Sequence, residues 1–167
     1  LAQHGYSPIP IDAYWDLKRS RGDRRTLLAL SGAQSLYATF LAEWLDSIES
    51  DEMLALDRVQ PGAAEQLAHW QGQGIRLILA TMRRDSAALQ RQLAALRLLP
   101  LFARVVICDH AEGGAGKAQR ILAAEGAIDG ARCLWIGDTE ADVEGARRLG
   151  ARVVAVTCGL RTADYLA

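Results

Sequence analysis

Apolar and polar positions follow two different patterns along the chain, and the pattern changes near residue 58. Beyond that point, short apolar runs alternate with segments in which apolar residues recur at helical spacing. This alternation is typical of β-α-β units and predicts an α/β fold, with a Rossmann-like parallel sheet and flanking helices. The apolar runs that predict strands are residues 75–81, 104–108, 133–136 and 152–157.

Capping residues and helix breakers mark the ends of four predicted helices in the same region. In one of them, which Asp85 caps, Leu89, Leu93 and Leu96 fall on one face at helical spacing. The last one ends at Gly150, as is common for helices. The four helices are predicted at residues 62–70, 86–99, about 117–124 and 142–149.

Residues 1–58 have helical periodicity without strand patterns, with helices predicted at Ile11–Lys18 and Ser35–Ile48. The sequence therefore predicts a small helical cap region at 1–58 and an α/β core at 59–167. Five basic residues lie between the two helices. They form either a solvated turn or an anion site that faces the substrate, with Arg24 and Arg25 as candidate substrate contacts. The basic residues are Lys18, Arg19, Arg21, Arg24 and Arg25.

Composition and charge narrow the possible partners. The sequence has 167 residues and a formal net charge of −1, so no overall field favours nucleic acid or a membrane surface, and neither is expected as a partner. No segment has the length of a transmembrane helix, and the N-terminus lacks a signal pattern. Cys108, Cys133 and Cys158 lie in or just after predicted buried strands, which indicates reduced thiols and a cytoplasmic location.

Ligands of open parallel sheets bind at the carboxyl ends of the strands, so the residues that follow each strand are the site candidates. The first strand ends at Thr81 and continues into Met82 and Arg83. A hydroxyl and free backbone N–H groups at this point can hold a phosphate. Threonine is also a good strand former, so a purely structural role is the alternative.

A glycine-rich segment with a lysine, residues 112–117, follows the second strand. A cation at the positive end of a helix is unfavourable unless it faces an anion, which favours an electrostatic role for Lys117. A solvated lysine after a flexible loop is the alternative. The segment is not a Walker A loop, because Ala111 and Ala118 replace the required residues. It is not a dinucleotide fingerprint either, because Gln119 replaces the third glycine.

Two aspartates follow the third strand, in the segment Gly137-Asp138-Thr139-Glu140-Ala141-Asp142. One carboxylate here would be explained by helix capping. Two carboxylates one helical turn apart, with a glycine beside the first, also suit a hard cation that keeps several waters. We therefore expect Asp138 and Asp142 to bind Mg²⁺. After the last strand, Cys158 would need an activating base to be a nucleophile, so we expect a half-buried structural thiol there.

The order of these signals along the chain, Thr81, then Lys117, then Asp138 with Asp142, resembles the haloacid dehalogenase superfamily. The resemblance covers the core from about Gln60 to the end, and the earlier helices are similar to the family's helical cap. The stretch from Asp138 to Gly150 is similar to the phosphoglycolate-phosphatase-like branch.

This resemblance implies a Mg²⁺-dependent phosphohydrolase that acts on a small phosphorylated metabolite through an aspartyl-phosphate intermediate. Thr81 and the Met82 backbone would bind the transferring phosphoryl group. Lys117 would offset the charge of the nucleophile and the phosphate. Asp138 would hold Mg²⁺ with help from Asp142. Arg24, Arg25 and Arg83 are further candidates for contacts to the substrate.

Two departures from the family pattern accompany the resemblance. Met82 stands at a position that the family often fills with asparagine. More importantly, no Asp-x-Asp-Gly-x-Thr motif follows an apolar run, although this motif carries the family's nucleophile on the central strand of the sheet, between the strands that here end at Thr81 and Asp138. We therefore expect this strand to be absent from the sequence and to lie upstream, within roughly 10 to 40 further residues. The chain by itself is expected to be inactive.

Other activities stay open at this stage. Phosphomutase and dehalogenase chemistry belong to the same superfamily, and the absent motif is the part that separates them. A non-catalytic binding or regulatory module, which obtains the strand from a partner, is an alternative of a different class. The sequence does not define the substrate or the oligomeric state.

Overall fold

The architecture is described from a computed structural model, which covers the backbone of residues 1–167 and every side chain except that of His110. The helices are α1 (Ile11–Arg19), α2 (Arg24–Leu30), α3 (Tyr37–Ser47), α4 (Asp51–Leu54), α5 (Ala63–Gly72), α6 (Ser86–Ala95), α7 (Gly113–Glu125), α8 (Glu140–Leu149) and α9 (Ala163–Leu166). The strands are β1 (Ile78–Thr81), β2 (Arg104–Ile107), β3 (Leu134–Gly137) and β4 (Arg152–Ala155).

The predicted α/β class is confirmed, and each predicted strand is present within or next to its apolar run. β1 pairs with β2 and β3 with β4, both in parallel, with Thr81 opposite Ile107 and Gly137 opposite Ala155. Within the described residues these pairs are two separate two-stranded sheets. One edge of β1 and one edge of β3 therefore have no paired strand in the described part of the chain.

The chain forms two compact units. The first comprises Leu1–Asp46 and Gly130–Ala167, and the second comprises Ser47–Asp129. The first unit contains the β3–β4 sheet with α8, and the second contains the β1–β2 sheet with α6 and α7. Residues 1–58 form helices and no strand, as expected. A functional boundary between cap and core at residue 58 stays a prediction.

The core of the second unit contains buried residues of α6, β2 and α7. Leu89 and Leu93 are buried on the predicted face of α6, whereas Leu96 lies just beyond the end of that helix and is not buried. α7 packs on both strands. Full burial of a large aliphatic side chain contributes about 1.5–3 kcal/mol. Asp85 caps α6 as predicted, because its Oδ1 accepts hydrogen bonds from the N–H groups of Ala87 and Ala88 at 2.9 and 3.0 Å.

A single carboxylate ties the end of α7 to the beginnings of both strands in this unit. Glu125 accepts a hydrogen bond from Nε of Arg76 at 2.6 Å and another from Nε of Arg104 at 3.1 Å. Arg104 begins β2, and Arg76 lies just before β1. The two ion pairs therefore help to set the direction of α7 along the sheet.

In the first unit, the expectation that the strands are buried is wrong, because all four residues of β4 are exposed and one face of β3 is exposed as well. Successive strand residues point to opposite faces. Trp135 lies on the face that α8 covers, and its side chain donates a hydrogen bond to Asp142 of α8. On the other face, Leu134, Ile136 and Val154 are 51%, 44% and 46% exposed. No described element buries this second face.

Two predictions of local structure are wrong. Arg24 and Arg25 begin α2 and do not lie in a turn, because Oδ1 of Asp23 caps that helix by accepting the Thr26 N–H at 2.7 Å. The glycine-rich segment belongs to α7, which begins at Gly113. Lys117 therefore lies in the second turn of that helix, where the argument from the helix dipole no longer applies.

The cysteines differ in exposure. No disulfide joins the described thiols, Cys108 is buried as expected, and Cys158 is exposed instead of half-buried. None of the described helices combines the length and hydropathy that a bilayer crossing requires. The cytoplasmic location stays a prediction.

Candidate active site

Asp138 follows β3 directly and is half-buried. Its Oδ2 accepts a hydrogen bond from the N–H of Leu160 at 2.7 Å, and a Cβ atom added at Gly159 would overlap the Asp138 carboxylate. Glycine at position 159 therefore allows the loop after β4 to approach this aspartate. Oδ1 has no hydrogen-bond partner among the described residues. Asp138 thus retains one carboxylate oxygen for a cation.

Asp142 is only 6% exposed, and both of its carboxylate oxygens accept hydrogen bonds. Oδ1 accepts from Nε1 of Trp135 at 3.2 Å, and Oδ2 accepts from N and Oγ1 of Thr139 at 3.2 and 2.6 Å. Thr139 and Asp142 thereby form a capping box at the start of α8. A Cβ added at Gly137 would overlap Asp142. The capping role of Asp142 is structural, and metal binding by Asp142 stays a prediction.

Arg161, in the loop after β4, holds three elements of the first unit together. Its Nε and Nη2 donate to Oε2 and Oε1 of Glu140 at 2.8 and 3.1 Å, and its Nη1 donates to the carbonyl of Lys18 at 2.7 Å. The Arg161 side chain is 12% exposed. The hydrogen bonds from Arg161 lower the pKa of Glu140, so this carboxylate stays charged. No local pattern in the sequence marks either residue as part of the site.

Two arginines of the basic cluster near the start of α2 lie against aromatic rings. The Arg24 guanidinium lies 3.8 Å from the ring centroid of Trp44, and that of Arg25 lies 3.9 Å from the ring centroid of Tyr37. The half-buried Lys18 has a lowered pKa, first because of burial and then because of the positive charges of Arg24 and Arg161. Cations held together in this way would stabilise a bound anion.

An open cleft of about 420 Å³ lies beside Arg25. Its lining includes one guanidinium group, hydroxyl and amide groups, and a few apolar side chains. The cleft lies entirely within the first 46 residues, in the region predicted as a helical cap. The residues that line the cleft are Arg25, Thr26, Leu28, Ala29, Gln34 and Tyr37.

In the second unit, Thr81 ends β1 and is half-buried, and its carbonyl accepts the Cys108 N–H at 2.8 Å. The backbone N–H groups of the next two residues, Met82 and Arg83, have no hydrogen-bond acceptor among the described residues. Nη2 of Arg83 donates to Oδ2 of Asp57 at 3.1 Å. Two open N–H groups at a strand end are suited to an anion.

Lys117 is 7% exposed, so the alternative of a solvated lysine is wrong. Among the described residues, Lys117 and Asp142 are the two charged ones that are buried as whole residues. A buried ammonium group is costly unless anionic or polar groups compensate it. Burial therefore favours the predicted electrostatic role of Lys117.

The predicted site residues fall into two sets. Asp138, Asp142, Arg24 and Arg25 belong to the first unit. Thr81, Met82, Arg83 and Lys117 belong to the second unit. Among the described side chains, no group of three or more His, Cys, Asp or Glu residues could enclose a metal ion. A cation here would depend on one or two carboxylates with water and substrate oxygens, which is how Mg²⁺ is commonly bound.

Residues 1–150 match the model of a family described as haloacid dehalogenase-like hydrolase. Solved structures with the same fold include a protein from Bacteroides fragilis assigned to the haloacid dehalogenase-like hydrolases, with 21% identity, a TM-score of 0.74, and coverage of 99% of this chain and 80% of that chain. A predicted phosphatase from Clostridium acetobutylicum has 16% identity, a TM-score of 0.70, and coverage of 99% and 76%.

A further solved structure, from Lactobacillus delbrueckii subsp. bulgaricus, is assigned as a phosphoglycolate phosphatase. It has 17% identity and a TM-score of 0.62, with coverage of 91% of this chain and 67% of that chain. Identities this low establish the fold alone. No curated protein matches the chain.

Proposed function

Because this chain belongs to the haloacid dehalogenase-like hydrolases, we propose that it carries the phosphate-binding and metal-binding residues of a phosphatase that acts on a small phosphorylated metabolite. The observation that carries this proposal is the pair of open N–H groups of Met82 and Arg83 at the carboxyl end of β1. Backbone N–H groups in this position bind phosphate oxygens well. The Thr81 hydroxyl would add a third donor.

Lys117 supplies positive charge in this proposal. Phosphoryl transfer depends mainly on positioning and on stabilisation of the charge that develops on the phosphoryl oxygens. A buried ammonium group acts in a low effective dielectric, where its field is stronger than in water. The ion pairs of Glu125 with Arg76 and Arg104 support this role, because they fix the helix that carries Lys117.

Asp138 would hold Mg²⁺ through Oδ1, with help from Asp142. Oxygen ligands of this kind fit the preference of Mg²⁺ for few carboxylates and several waters. Bound Mg²⁺ would neutralise negative charge on the phosphoryl group. The hydrogen bond from the Leu160 N–H to Oδ2 supports this proposal, because it orients the Asp138 carboxylate.

The nucleophile of an aspartyl-phosphate mechanism is proposed to lie on a further strand, which pairs along the open edge of β1. An unpaired strand edge presents N–H and C=O groups that can pair with a further strand. Without such a strand, the chain is expected to bind phosphate and to lack turnover. The chain would then be inactive because it lacks a nucleophile, although its binding residues are intact.

The test is hydrolysis of p-nitrophenyl phosphate by the chain together with a strand that carries this nucleophile. We expect Mg²⁺-dependent turnover that disappears in Lys117→Met, while Glu65→Ala, an exposed change on α5, retains it. A folded, metal-loaded protein that hydrolyses none of a panel of phosphomonoesters would contradict the proposal. Halide release from a 2-halo acid by the same protein would favour the dehalogenase alternative.

A further inference from the structure

The Glu49 carboxylate binds the backbone just beyond the proposed phosphate-binding residues. Its oxygens accept hydrogen bonds from the N–H of Arg84 at 2.9 and 3.1 Å, and Oε2 accepts the N–H of Asp85 at 2.7 Å. Hydrogen bonds from N–H groups to a carboxylate are stronger than those between neutral groups. These contacts lie within the second unit.

The segment from Met82 to Asp85 therefore has four consecutive N–H groups in two different states. Those of Met82 and Arg83 have no acceptor in the described part of the chain, and those of Arg84 and Asp85 are occupied by Glu49. The occupied pair precedes α6, where partial positive charge attracts any anion, including phosphate. Glu49 thus occupies two N–H groups to which a phosphate could otherwise bind.

Several further hydrogen bonds fix the segment that carries Glu49. Asp57 Oδ2 accepts from Nη2 of Arg83 at 3.1 Å and from Nε2 of Gln92 at 2.6 Å. Asp51 Oδ1 accepts from Nη2 of Arg91 at 2.8 Å. The segment from Glu49 to Asp57 is therefore held against the loop after β1 and the first turns of α6.

We propose that Glu49 is a positioning residue that confines a bound phosphoryl group to the N–H groups of Met82 and Arg83 by occupying those of Arg84 and Asp85. This inference rests on the proposed function of the loop. Backbone positions are separated by about 3.3–3.6 Å per residue in an extended chain. A phosphate bound one or two residues further along would lie away from the Thr81 hydroxyl, and misplacement by about 1 Å can already reduce a rate about 100-fold.

The experiment uses the chain labelled with ¹⁵N and titrated with inorganic phosphate, and amide chemical shifts are followed by NMR. In the wild type, phosphate should shift the amides of Met82 and Arg83 and leave those of Arg84 and Asp85 in place. In Glu49→Ala, the largest shifts should move to Arg84 and Asp85. Hydrogen exchange of these two amides should be at least about tenfold faster in the variant, because each loses an acceptor.

The matched control is Glu52→Ala, which removes an exposed carboxylate from the same segment and should behave as the wild type. Glu49→Gln retains one acceptor oxygen and should give an intermediate pattern. The inference is overturned if phosphate already shifts the amide signals of Arg84 and Asp85 in the wild type. It is also overturned if the largest shifts in Glu49→Ala are still those of Met82 and Arg83. If phosphate shifts none of these amides in any variant, the proposed phosphate-binding role of the loop is rejected with it.

Discussion

The N–H of Leu160 donates a 2.7 Å hydrogen bond to Oδ2 of Asp138, which fixes the carboxylate that follows β3 from the loop that follows β4. This contact requires Gly159, because a Cβ atom there would overlap the Asp138 carboxylate. The loop after β4 can therefore approach the loop after β3 closely only because residue 159 is glycine. The position of the Asp138 carboxylate therefore depends on the absence of a side chain at residue 159.

Gly159→Ala should therefore weaken Mg²⁺ binding without a change in any proposed ligand. The expected loss is about 10- to 100-fold in affinity, as for other groups that orient metal ligands. Isothermal titration calorimetry with Mg²⁺ measures it. Gly72→Ala is the control, because an added Cβ there has open space. Equal Mg²⁺ affinity in Gly159→Ala and the wild type would show that Asp138 is not held as the structure indicates.

Asp142→Ala should destabilise the protein through loss of the capping box and of the acceptor for Trp135. Loss of a capping side chain reduces stability by about 0.5–2 kcal/mol, and a buried donor without a partner adds about 1–3 kcal/mol. Urea unfolding measures the change. Glu144→Ala, in the same helix, removes an exposed carboxylate 3.7 Å from Arg148 and should change stability by less than about 1 kcal/mol. If Asp142→Ala and Glu144→Ala lowered the free energy of unfolding by similar amounts, the capping role of Asp142 would be contradicted.

Stability at low pH should depend on Glu125. The hydrogen bonds from Arg76 and then Arg104 lower the pKa of this carboxyl from 4.5 to about 2 in the folded protein. Because the folded pKa is lowered, the stabilisation is complete above pH 4.5 and is lost as the pH falls toward 2. Glu125→Gln should therefore be less stable than the wild type at pH 7, and the difference should shrink below pH 4.5.

Urea midpoints measured from pH 7 to pH 2 check this expectation. Glu65→Gln is the control, since Glu65 is an exposed acid of α5 and forms no ion pair among the described residues. A difference between Glu125→Gln and the wild type that stays constant over this pH range would contradict the role of the two arginines.

Some of the candidate site could be predicted from the sequence because its signals are local. Asp138 stands next to its strand, and the sequence also singles out Lys117 and Asp142, which are buried in the structure. Local capping signals likewise placed Asp85 correctly at the start of α6. Local patterns failed at Lys117 in one respect, because the glycines before it are helical and the lysine is not at the helix start.

The rest of the site depends on contacts between residues far apart in the sequence. Arg161 reaches back to Lys18, and Glu49 reaches forward to Arg84. Sequence periodicity does not indicate such pairs, because the two residues of each pair belong to different elements and meet only in the folded protein. The exposed face with Ile136 could not be predicted for the same reason, since an apolar run does not specify what covers each side of a strand.

Arg24→Ala should raise KM for a phosphomonoester that carries a second negative charge. Arg24 is held on the Trp44 ring beside Lys18, and loss of a hydrogen bond to a charged group corresponds to about tenfold or more in affinity. Arg25→Ala should act in the same direction. The measurement compares KM for p-nitrophenyl phosphate with that for an acidic phosphomonoester, in the protein that includes the proposed nucleophile strand. Arg19→Ala is the control from the same cluster. Equal KM values for the acidic substrate in Arg24→Ala and Arg19→Ala would leave these arginines a purely structural role on their aromatic rings.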